Sequence, residues 1–111
     1  MPTKRNPLNL NPLQLKTLTL LQELARLIGS PAEAGGIHIP ELPHPHGDHF
    51  HLGDAVVATR DASGLSNQAA WVALERKGLI KSMFPDAALL TPAGQAYDTG
   101  LTDALLHRSD H

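Results

Sequence analysis

His44, His46, Asp48, His49 and His51 lie within eight consecutive residues, the densest group of side chains in the chain that could bind a metal ion. Neutral imidazoles and a carboxylate suit zinc, nickel or copper. A structural zinc site would need three or four of them to converge, and side-chain directions in an extended chain prevent this unless Gly47 permits a tight loop. The competing reading is a polar loop in which Asp48 caps the helix that follows. That reading is adopted, so no metal ligand and no cofactor is assigned. The same imidazoles would also give a pH-sensitive surface near a helix N-terminus, whose positive dipole end lowers a histidine pKa.

Other reactive chemistry finds little purchase. Gly35-Gly36 lacks the lysine and the helix-opening context of a phosphate loop, and Ser63 with a histidine is only two residue types without a geometry. There is no cysteine, which removes a thiol nucleophile, a thiolate metal site and any disulfide framework. The chain is read as a non-enzyme. Trp71, the only tryptophan, is expected to be a core or dimer anchor rather than a base-stacking platform.

A length of 111 residues suits one domain. The absence of cysteine fits a cytoplasmic protein, the first residues do not form a signal peptide, and no run of about 18 apolar residues is present to span a bilayer. Nine Lys and Arg against eleven Asp and Glu give a formal charge of -2, whereas nucleic-acid-binding domains usually carry a positive excess or a basic face.

Asn11-Pro12 reads as the start of a helix that ends at Gly29-Ser30-Pro31. Leu13, Leu20, Leu21, Leu24, Leu27 and Ile28 fall on one side of it. Leu15 and Leu18 lie outside that stripe, which predicts contact with a C-terminal helix of the same chain or, failing that, a homodimer surface. Ile37-His38-Ile39 predicts one short edge strand, and Leu52, Ala55, Val56 and Thr59 predict a short helix from about Leu52 to Arg60. After a turn at Asp61-Ala62-Ser63-Gly64, Ser66 is placed to cap a second helix running to Lys77, with Leu65 and Ala70 as a hydrophobic staple. Leu79 to Phe84 and Ala87 to Thr91 read as two strands of a hairpin joined at Pro85-Asp86. Pro92 opens a last helix carrying Ala93, Tyr97, Leu101 and Leu105, and residues 1–10 and 107–111 are expected to be loosely attached.

One stretch sharpens this order of elements. Leu74-Glu75-Arg76-Lys77-Gly78-Leu79-Ile80, followed by Leu90-Thr91-Pro92-Ala93-Gly94, resembles the "LExxGLI … LTxxG" signature of MarR-like and PadR-like regulators, and the likeness covers roughly Leu52 to Tyr97. It implies an α+β winged helix-turn-helix over residues 1–111: a three-helix core, a short β-hairpin wing and a C-terminal helix. It further implies a small transcriptional regulator, not an enzyme, that binds double-stranded DNA as a homodimer. In such regulators the second motif helix enters the major groove, so Ser66, Asn67 and Gln68 would face bases while Arg76, Lys77 and Lys81 would meet phosphates.

Two features depart from the pattern. Ala70, Trp71 and Leu74 form one apolar arc of the second motif helix, and Leu65, Ala69, Val72 and Ala73 form another on the far side. The wing carries Lys81 and Asp86 and no arginine, which predicts weak phosphate contact. A protein-interaction module of the same fold is the alternative, and a histidine-cluster metal-binding protein the next. His44-Pro45-His46-Gly47-Asp48-His49 is also similar to the "HxHxDH" signature of the metallo-β-lactamase superfamily, which would imply a dinuclear zinc hydrolase. That family places the cluster after a core strand of an αββα sandwich and draws ligands from distant segments, a context this chain lacks.

Overall fold

Asn11 opens the first helix with reciprocal hydrogen bonds: its Oδ1 accepts from the Gln14 amide at 2.8 Å, and Gln14 Oε1 accepts from the Asn11 amide at 3.1 Å. Two donors that a helix start leaves orphaned are thereby satisfied. The helix, α1 (Pro12–Ile28), belongs to a computed structural model that describes residues 6–43 and 47–108.

Thr17, Leu18, Thr19, Leu20 and Leu21 are all buried. At about 100° per residue, five successive positions circle the helix axis, so α1 runs through the interior rather than lying on a face. The side that carries Leu15 and Leu18 is covered by the C-terminal part of the same chain. There Gln22 Nε2 donates to the carbonyls of Gly94 and Tyr97, both at 2.8 Å, and the Thr19 and Thr99 hydroxyls lie 2.7 Å apart.

The class is α+β, with two antiparallel sheets among the described residues. The first has the order β1-β2-β6-β5, formed by β1 (Ser30–Pro31), β2 (Ile37–Ile39), β5 (Ile80–Met83) and β6 (Ala87–Leu90). β2 pairs with β6 from Ile37↔Leu90 to Ile39↔Ala88, while β5 and β6 form the expected hairpin from Ile80↔Leu90 to Met83↔Ala87. β2 is therefore flanked on both sides and is not an edge. The second sheet has the order β3-β4-β7, formed by β3 (His49–Leu52), β4 (Ala55–Ala58) and β7 (His107–Arg108).

This second sheet corrects the helix expected from Leu52 to Arg60. Phe50, Leu52, Ala55 and Val57 point into the core and His49 and His51 point out, a period of two along the chain. Leu52 faces Ala55 across a two-residue turn in which Gly53 has φ +58, the hairpin geometry that glycine supplies at least cost. A 3₁₀ segment, Thr59–Ser66, then leads into α2 (Gln68–Arg76).

The cap of α2 is also one residue later than expected. Asn67 Oδ1 accepts from the amides of Ala69 and Ala70 at 3.0 and 3.3 Å, while the Ser66 hydroxyl donates to the Ser63 carbonyl. Asn is as good a cap as Ser, and the shift also moves Leu65 off the staple position. Leu65 and Ala70 remain buried.

The single last helix is corrected to two short ones, α3 (Pro92–Ala96) and α4 (Thr102–Leu105). Tyr97 is extended, Gly100 has φ +72, and Asp98 Oδ1 accepts from the Gly100 amide at 3.0 Å, a local bond that competes with helix continuation. Of the ends expected to be loosely attached, residues 6–10 and 107–108 are engaged, and residues 1–5 and 109–111 lie outside the described residues. Leu10 is buried, the Tyr97 hydroxyl donates to Asn6 Oδ1 at 2.6 Å, and His107–Arg108 pairs with β4. Phe50, Val57, Trp71, Leu74, Ile80 and Leu90 belong to one core shared by α1, α2 and both sheets. No helix among the described residues is long and apolar enough to cross a membrane.

Candidate nucleic-acid interface

The motif that joins α2 to the hairpin is a clasp of backbone bonds. At the end of α2 the Leu79 amide donates to the Leu74 carbonyl at 3.1 Å and the Gly78 amide to the Glu75 carbonyl at 3.0 Å, with Gly78 at φ +75. This is the paired bonding of a left-handed helix stop, which glycine allows without steric penalty. The Thr91 amide then donates to the Leu79 carbonyl at 3.1 Å. The Thr91 hydroxyl donates to the Gly78 carbonyl at 2.6 Å and accepts from the Gly94 amide at 3.0 Å, so one side chain ties the helix stop, the end of β6 and the start of α3. Glu75 Oε2 adds a bond from the Ser82 amide at 3.0 Å, holding α2 to β5.

Thr91→Val should therefore cost about 1–2 kcal/mol, because a cap and a hydrogen bond are lost together. Urea unfolding measures it, and Thr91→Ser should recover most of the loss.

α2 presents two different sides. Ala70, Trp71 and Leu74 are buried, with the Trp71 indole N–H donating to the Gly64 carbonyl at 3.1 Å and its ring edge-on to Phe84 at 5.2 Å. Trp71 is thus a core anchor. Gln68, Ala69, Val72, Glu75 and Arg76 are exposed, Val72 to 40%.

The six residues expected to touch nucleic acid are all exposed, and they are not equivalent. Gln68 and Arg76 project from the open side of α2, and Lys81 stands on the adjoining strand β5. Asn67 Oδ1 is engaged as the α2 cap, and the Ser66 hydroxyl is turned back to Ser63. Lys77 Nζ donates to the Leu8 carbonyl, which draws it toward the N-terminal arm. No sequence signal marks that contact, because its partners are 69 positions apart. The turn between β5 and β6, Phe84-Pro85-Asp86, carries a carboxylate and no cation. No family model, curated protein or solved structure matches the chain.

Of the histidine-rich stretch, His49 and His51 stand on β3, in the second sheet. His44 and His46 lie outside the described residues. Gly47 has φ +72, and Asp48 precedes a strand, which corrects the expectation that its carboxylate caps a helix. Its Oδ1 is instead 2.9 Å from His49 Nδ1, and that hydrogen bond holds the Asp48 carboxyl below the usual carboxylate range. His49 and His51 share the exposed side of β3, with ring centroids 5.8 Å apart. No group of three or more His, Asp or Glu side chains is arranged around a common point among the described residues.

Proposed function

We propose that this chain is a cytoplasmic winged-helix protein that associates with double-stranded DNA, with α2 in the major groove and the β5–β6 hairpin as its wing. The observation that carries the reading is the sheet order β2-β6-β5: β2, which lies between α1 and α2 in the chain, pairs with the second strand of the hairpin, and α2 packs against that hairpin with its outer side open. This is the arrangement by which a winged helix presents its second motif helix beside a wing. The 3₁₀ segment stands where such a domain has its first motif helix, and the β3–β4 hairpin is an insertion ahead of it.

The open side of α2 suits an A·T-containing groove. A glutamine amide can pair with the adenine edge, and small apolar groups such as Ala69 and Val72 can meet thymine methyls. Arg76 and Lys81 supply phosphate contacts. With two such contacts, affinity should fall about tenfold when salt rises from about 50 to about 200 mM. Fluorescence anisotropy with labelled generic duplex tests this, and the double variant Arg76→Ala/Lys81→Ala should remove most of the salt-dependent binding. If no duplex binds at about 50 mM salt, the reading fails.

The exposure of Val72, between Ala69 and Ala73, favours a second reading in which this side of α2 packs against protein, as a homodimer or adaptor surface. Sedimentation of the wild type and Val72→Lys distinguishes it: a dimer that dissociates in the variant, without DNA binding in either, supports the adaptor.

A further inference from the structure

We propose that His49 and His51 form a two-imidazole surface site for a late first-row divalent metal ion, with copper(II) bound most tightly. Strand alternation sets both rings on the solvent side of β3, while Phe50 and Leu52 between and beside them are held in the core. The strand is fixed to β4 by four register pairs from His49↔Ala58 to Leu52↔Ala55, so the separation of the two backbone positions is set by the ladder before any ion arrives. Preorganisation of this kind lowers the entropy lost on chelation.

The ring geometry is close to what a shared ion requires. Metal–nitrogen bonds of about 2.1 Å, with the two imidazoles at a right or near-tetrahedral angle, put ring centroids roughly 4.6–5.3 Å apart. The observed separation is 5.8 Å, with the rings 76° from coplanar, so modest side-chain rotation closes the gap. The second observation is Asp48. Its Oδ1, 2.9 Å from His49 Nδ1, orients that ring and leaves Nε2 as the donor to a metal, the carboxylate–histidine pairing by which ligand orientation is commonly set.

The cross-strand neighbours of His49 and His51 are Ala58 and Val56, neither of which supplies a competing charge. His107 shares this face beyond Val56, two strands and so about 10 Å of backbone separation from His51, and it does not gather with His49 and His51 around a common point. With two protein ligands the remaining coordination positions belong to solvent, and the order of affinity follows the intrinsic one, copper(II) above nickel(II) and zinc(II).

Calorimetric titration of the chelator-treated full chain with copper(II), nickel(II) and zinc(II) tests the site. One copper(II) per chain is expected, with His49→Ala and His51→Ala each weakening it by at least about tenfold and Asp48→Asn by less. His38→Asn and His107→Asn should bind as the wild type does. In an amide NMR spectrum, substoichiometric copper(II) should broaden residues of β3 and the facing part of β4 first, a readout that needs no variant. Wild-type affinity in both His49→Ala and His51→Ala overturns the proposal, as does broadening that spares β3.

Discussion

Trp71→Ala is expected to destabilise the protein by about 3–5 kcal/mol, a large fraction of the stability of a domain this size. The side chain is fully buried and sits where α2, the 3₁₀ segment and the β5–β6 turn meet. Its removal leaves a cavity among elements that cannot all collapse inward, and it also strands the Gly64 carbonyl that the indole satisfies. Trp71→Phe separates the two effects. It keeps most of the apolar contact and loses the hydrogen bond, so its cost should be markedly smaller than that of the alanine variant. Urea unfolding followed by far-UV circular dichroism measures both. An alanine variant within about 1 kcal/mol of the wild type would mean that Trp71 is not where this fold places it.

Gly94→Ala provides the second large effect, and its sign is as informative as its size. In an open helix, replacing glycine by alanine stabilises by up to about 1 kcal/mol. Here a Cβ at residue 94 would lie 2.1 Å from the Leu79 carbonyl oxygen and 2.7 Å from Leu90 Cδ1. The nearer obstacle is backbone belonging to the clasp at the base of the hairpin, so it cannot swing aside as a side-chain end would. The expected outcome is a loss of about 3 kcal/mol, at the upper end for overpacking, with a lower urea midpoint. Stabilisation by the same substitution would show that α3 does not press on the Leu79 carbonyl.

The clasp around Gly94 also explains why part of the fold is legible in the sequence. Gly78, Thr91 and Gly94 each answer a local demand: a left-handed stop, a cap, and a close approach of backbone. Such demands accept few residue types, so the pattern that meets them can be read directly. The β3–β4 hairpin shows the opposite situation. Leu52, Ala55, Val56 and Thr59 satisfy helical spacing, yet the chain uses the alternation of His49, Phe50, His51 and Leu52. Gly53 looks like a weakness in a helix and is the turn of a hairpin. In short apolar runs the two periods overlap, and tertiary packing decides between them.

The last helix fails for a related reason. Ala93, Tyr97, Leu101 and Leu105 have helical spacing, but Asp98 and Gly100 favour a local turn, and Tyr97 is held by the N-terminal arm 91 positions away. The candidate interface divides along the same line. Exposure of Gln68, Arg76 and Lys81 follows from the amphipathic pattern of α2 and its neighbouring strand. The engagement of Lys77 with Leu8 does not, because it depends on how distant segments fold back.

The most direct measurement of the central proposal is an amide NMR titration of the full chain with a short A·T-containing duplex at low salt. Shifts concentrated at Gln68, Ala69, Val72, Arg76 and Lys81, with the β3-β4-β7 sheet unmoved, are the expected result. Saturating DNA that leaves α2 and β5 unshifted, or that moves only the second sheet, would contradict it.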